Sequence, residues 1–185
     1  MTNLLLFLGM HSIPIIAEPI RNQFAANNEL LWKAVYSLIS IAGLFLIVIG
    51  YLEARLSPTL IDASPYWLHH VSALLMLPFF ILFLAPYFPG KISCIAKHPQ
   101  LFAVILWALS HLLVNGNIAD LLLFGSFFAW VVTDIISMRR RVPRPLPGLK
   151  SSAINDALIV ITGLLLYGIF VIYLHKILLG IPLLA

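Results

Sequence analysis

The sequence holds a single cysteine, Cys94, in 185 residues. An internal disulfide is excluded, and so is a thiolate cage for a metal ion. Charge is also scarce: Asp, Glu, Lys and Arg together make up 10% of the chain, against about 25% in soluble domains. No internal repeat and no low-complexity segment is present. What fills the chain instead is apolar surface: 62% of the residues are hydrophobic and the mean hydropathy is +1.04. The fold class that follows is an all-α integral membrane bundle. A chain this short cannot carry membrane spans and a soluble catalytic domain as well. Any chemistry must sit among the helices or in short loops, and the whole chain, 1–185, reads as one domain.

Six apolar runs are drawn from hydropathy: Thr2–Ala17, Trp32–Leu52, Pro65–Phe88, Pro99–Val114, Ile118–Met138 and Ala153–Leu178. A crossing takes about 17–25 residues, so the first and fourth are short. Backbone groups in lipid must bond within their own segment, so each run is predicted to be a helix. Pro14 and Pro78 fall inside two of the runs and are expected to kink them. The start, "MTNLLLFLGMHSIPIIAEPI", lacks a basic region and has a histidine and proline in its apolar stretch, so it reads as a retained span.

Basic residues set the orientation. The loops after the first, third and fifth runs hold Arg21, Lys33, Lys91, Lys97, Arg139, Arg140, Arg141, Arg144 and Lys150, against Arg55 and Lys176 on the other side. Both termini are therefore expected on the non-cytoplasmic face. The loop "RRRVPRPLPGLKSS" is the strongest anchor. Its composition suits topology and anionic-lipid contact and not nucleic-acid binding.

The six histidines are not scattered evenly. With this orientation His11, His69, His70, His111 and His175 occupy the outer half of the bilayer, and only His98 lies on the cytoplasmic side. An ionisable group within the membrane is costly, which marks it as a functional candidate. His98 and His111 are thirteen residues apart on one run, roughly 20 Å of rise and about 140° of rotation, so they cannot share a small ligand. On the face of His111 lie Trp107 at i−4 and Asn115 at i+4. His11 and His70 are the partners of suitable depth on other helices.

Two neutral imidazoles from different helices can clamp a haem iron, with apolar and aromatic neighbours excluding water. A zinc site matches less well, since zinc takes three or four ligands and the only acids in reach are Asp120 and Asp62. The alternative use of a histidine in a membrane helix is hydrogen-bonding glue between helices. His69 and His175 suit the interface, where an amphipathic ring is ordinary. His98 precedes Pro99 as the residue before a helix that begins at proline.

Other residues carry structural expectations. Asp134 precedes the arginine run and is expected to form a salt bridge or to meet interfacial solvent. Glu18 and Asp156 lie near the cytoplasmic ends of their spans. Gly125 and Ser126 suit close helix packing. Asn115, Gly116 and Asn117 suit a tight turn, with Asn115 able to reach His111.

"HPQLFAVILWALSHLLVNGNIADLLLFGSFFAW", with "FLGMHS" and "WKAVYSLISIAGLFLIVIGY", resembles the NnrU family over nearly the whole chain. That family is named for a link to denitrification, in nitric oxide and nitrite metabolism. Plant zeta-carotene isomerase looks like a relative and carries a b-type haem between two histidines. Carried over by motif, those histidines fall on His11 in the "HS" stretch and on His111 in "WALSH". The resemblance thus implies a b-type haem with His11 and His111 as metal ligands, and Trp107, Asn115 and His70 as candidate neighbours. Ala108 stands where isomerase relatives have a cysteine, so exchange of thiolate for imidazole at the iron is not available locally. The partners implied are the lipid bilayer and a lipid-phase or small gaseous ligand, and the location a bacterial inner membrane. Three functions stay open: a haem-binding membrane protein, a haem-dependent isomerase of a polyene, and a cofactor-free membrane assembly factor. "KHPQ" is similar to the Arg-His-Pro motif of membrane methyltransferases, but no acidic motif follows the last run.

Overall fold

A computed structural model describes residues 2–61, 63–141, 148–180 and 183. Asp62 and Arg144 lie outside the described residues. The described chain is helical: α1 (Thr2–Ile16), α2 (Glu18–Asn27), α3 (Glu29–Ala54), α4 (Trp67–Met76), α5 (Phe79–Leu84), α6 (Lys91–Ala96), α7 (Pro99–Val114), α8 (Ile118–Met138), α9 (Ala153–Ile169), a π-helical turn (Phe170–Leu174) and α10 (His175–Leu179).

Among the described residues four helical stretches are long and apolar enough to cross a membrane: Glu29–Ala54, Trp67–Leu84, Ile118–Met138 and Ala153–Leu179. A fifth is counted if α1 and α2, bent by 93°, form one span. The helix α7 is apolar but shorter, at 16 residues. Leu38, Ile41, Phe45 and Leu165 are each more than 60% exposed. Side chains of that size left bare all round a bundle need an apolar solvent, and lipid supplies it.

The helix ends follow local chemistry. Asn28 accepts a hydrogen bond from Leu31 N–H at 2.9 Å and caps α3, Asn117 caps α8 through Asp120 N–H, and Ser152 caps α9. Glu29 sits in the first turn of α3, where a negative charge suits the helix dipole. Lys33, one turn on, pairs with it at 2.7 Å. Pro99 opens α7 just after His98, as expected. Pro78 interrupts the third run between α4 and α5. Pro14 does not interrupt α1, which runs on to Ile16. The bend comes instead at Ala17, just before α2, which has Pro19 in its first turn.

Packing runs from helix to neighbour. The helix α1 lies against α3 and α8, α8 against α7, α7 against α4 and α5, and α5 against α9. Close approach falls at glycines other than the one expected. A Cβ on Gly43 would sit 3.1 Å from the Phe7 backbone, and one on Gly163 would sit 2.8 Å from Ile81 N. Gly125 faces open space. The Asn115–Asn117 turn also differs from expectation. Gly116 does not take a positive φ. The segment is extended and bonds to 59–61, with Ile61 N–H donating to Gly116 O at 2.7 Å and Ile118 N–H to Thr59 O at 3.1 Å. At the opposite end Asp156 accepts from Lys91 N–H at 2.8 Å and Ile92 N–H at 3.0 Å, capping α6 from α9. Gly90 makes room for it, since a Cβ there would meet that carboxylate at 2.4 Å.

Candidate functional site

The core lies on the seam joining α7 and α8 to α1 and α3. Ile47, Ala108, Leu123, Phe124 and Phe127 are buried together, with Phe7, Tyr51 and Trp107 packed on them. The two singled-out histidines flank this core. Both belong to helices and both are held the same way. His11 Nδ1 lies 2.8 Å from the carbonyl oxygen of Phe7, and His111 Nδ1 lies 2.8 Å from that of Trp107. A carbonyl can only accept, so Nδ1–H donates in each ring, and the neutral imidazole then carries its lone pair on Nε2. Each ring is also clamped by stacking: His11 on Phe7 at 4.1 Å between centroids, His111 on Phe124 at 4.4 Å.

Helix α8 serves as a ruler of depth. His11 lies beside Trp130, with centroids 5.9 Å apart, and His111 lies beside Phe124. Six residues separate those two positions, roughly 9 Å along the helix. The space between the imidazoles is occupied. Phe7 touches Phe127 at 5.6 Å, Phe127 touches Trp107 at 5.1 Å, and Trp107 touches His111 at 5.5 Å. The rings form a continuous relay from one histidine to the other. In donor chemistry the pair fits axial ligation of a haem iron, since a ligating histidine characteristically donates its other ring N–H to a carbonyl. As the rings pack, the side chains of Phe7, Phe127 and Trp107 lie between the two histidines, so a macrocycle seated there would have to displace them.

The remaining candidates divide. Trp107 supports His111 through its carbonyl and its ring. Asn115 is joined to His111 only by its backbone N–H, which donates to the His111 carbonyl at 2.9 Å. His70 is exposed and packs edge-on against Tyr66. Among the described residues no three His, Cys, Asp or Glu side chains gather to hold a metal ion. Ala108 is fully buried in the core.

Several residues that sequence reasoning passed over take part. His175 was assigned to the interface, but it is 6% exposed. The π-helical turn before it shifts the helical register, and its ring meets Phe170 edge-on at 5.9 Å. His175 and Asp120 both lie within electrostatic reach of His111. Asp120 itself is 1% exposed. It accepts from Tyr51 Oη at 2.5 Å and from Asn117 Nδ2. Beside His11 stand Tyr36, at 5.1 Å between centroids, and Trp130. Beyond them is the buried ion pair of Asp134 and Arg141, which realises the expected salt bridge. In this same region Trp130 Nε1 and Arg141 Nε are enclosed with no hydrogen-bond partner among the described residues. A tyrosine or aspartate inside an apolar run was the available signal for Tyr51 and Asp120. The π turn left none.

The family model described as NnrU protein matches residues 1–183, and the chain belongs to that family. No curated protein and no solved structure matches it.

Proposed function

With membership of the NnrU family as the premise, we propose that this is a haem-binding membrane protein in which His11 and His111 would hold the iron. The observation that carries the reading is the matched presentation of the two imidazoles. Each is on its own helix, each has Nδ1–H tied to the carbonyl one turn back, and each is left with Nε2 as its lone-pair donor. The same reading has six crossings, with α7 as the short one and both termini on the non-cytoplasmic face, from the excess of Lys and Arg on the other side.

When bound, the haem would supply an iron centre for electron transfer or for sensing a small gaseous ligand, in keeping with the family's association with nitrogen oxides. The chain's own contributions are separate from that chemistry. Phe124 and Phe7 fix the two imidazole planes by stacking. Ala108 contributes no donor. Substrate chemistry such as polyene isomerisation would need one histidine to leave, and no thiolate stands near to replace it.

A second reading has its own observation. The aromatic relay already fills the space between the histidines, so the rings would serve as packing in a cofactor-free membrane assembly factor. Optical spectra decide. Protein purified after expression with ample haem is expected to show a six-coordinate low-spin Soret band, lost in both His11→Ala and His111→Ala. Colourless protein that is folded would instead establish the packing role.

A further inference from the structure

A cavity of about 380 Å³ opens where α3 ends and α8 begins, within the size range of small-ligand sites. It exists because the residues there are small. Gly50, Ala54 and Ala119 line it. Its walls are of two kinds. Leu4, Ile47, Leu122 and Leu123 form an apolar side. Glu53, Ser57 and Thr59 form a polar rim. The rim is held in place, since the 59–61 segment bonds to 116–118 at 2.7 and 3.1 Å. No cation pairs with Glu53 among the described residues. Two residues on, Arg55 lays its guanidinium over the Tyr51 ring at 5.9 Å from the centroid, and Tyr51 lines the same cavity.

We propose that this cavity binds an ethanolamine phospholipid from the bilayer, with the ammonium of its head at the rim of Glu53, Ser57 and Thr59 and one acyl chain along Ile47, Leu122 and Leu123. The charge pattern selects the class. A carboxylate on the cavity's rim matches a head that carries an ammonium. The oxygens of Ser57 and Thr59 can accept N–H donors, which a primary ammonium has and a choline head lacks. A head with no cation would leave Glu53 unmatched. Occupancy touches Tyr51, whose hydroxyl bonds Asp120 within electrostatic reach of His111, so a bound lipid would buttress that side of the core.

Native mass spectrometry of the full chain tests this, with palmitoyl-oleoyl lipids bearing ethanolamine, choline or glycerol heads added in turn. The wild type is expected to retain the ethanolamine lipid about tenfold over the other two, on the scale of one well-matched charged hydrogen bond. Glu53→Gln, at an exposed position that leaves the fold alone, is expected to abolish the preference over the glycerol head. Ala119→Phe fills the cavity and is expected to abolish retention of all three. Equal retention of the three lipids by the wild type overturns the proposal, as does an unchanged preference in Glu53→Gln. Neither result depends on haem.

Discussion

The surroundings of His111 and of His11 are built from the same parts and finished differently. Around His111 the polar groups close on one another. Tyr51 and Asn117 both donate to the Asp120 carboxylate, and Asp120 N–H returns a bond to Asn117. Around His11 the circuit is open. Asp134 has Arg141 and Ser137 as partners, but Arg141 Nε and Trp130 Nε1 are enclosed with nothing to bond among the described residues. Satisfied buried networks stiffen a core, and unsatisfied ones mark where something else belongs or where the packing is weak. The difference teaches that the two histidines, alike in themselves, sit in environments with different tolerance for change.

Breaking the ion pair beside His11 should have the largest effect. Arg141→Met leaves the Asp134 carboxylate buried and alone, with an expected loss of about 3–5 kcal/mol, read as a fall in the unfolding midpoint in detergent. Adding Asp134→Leu should recover most of it, and a single variant as stable as the wild type would refute the pair's burial. Next comes Tyr51→Phe, which removes one donor from the closed Asp120 network. An expected loss of about 1–3 kcal/mol follows from an under-bonded buried carboxylate, measured by the same unfolding midpoint. The smallest effect belongs to Trp130→Phe. Its indole N–H has no partner to lose, so stability should hold within a few tenths of a kcal/mol or rise slightly. A large loss there would mean that the open circuit around His11 is closed by a bound group.

Much of the architecture could be read along the chain. The bounds of α7 and α8 agree with the apolar runs to the residue, because in each case a boundary residue of distinct chemistry stands there: Pro99 at one start, Asn117 as cap at the other. The Asp134–Arg141 pair followed from a carboxylate placed seven residues before an arginine in a run of three. The histidines stood out because imidazole is rare in lipid. What was misread depended on neighbours. Gly125 looked like a packing residue but faces open space, while Gly43 and Gly163 make the contacts, since crossing points are set by both helices and not by one. His175 looked interfacial from its place near the end of the last run, and it follows a π turn and is buried against its neighbours.

By itself the sequence determined that the chain lives in lipid, that its runs are helices, and which imidazoles fall inside apolar runs. Those follow from local properties, from the cost of an unbonded peptide group and of a charge away from water, and need no knowledge of partners. Only the tertiary structure decided that Phe7, Phe127 and Trp107 fill the seam between His11 and His111, that His175 turns inward, and that Asp120 is met by Tyr51. Each of these is a contact between residues far apart in the chain, and a helix viewed alone carries no record of which neighbour its side chains will meet.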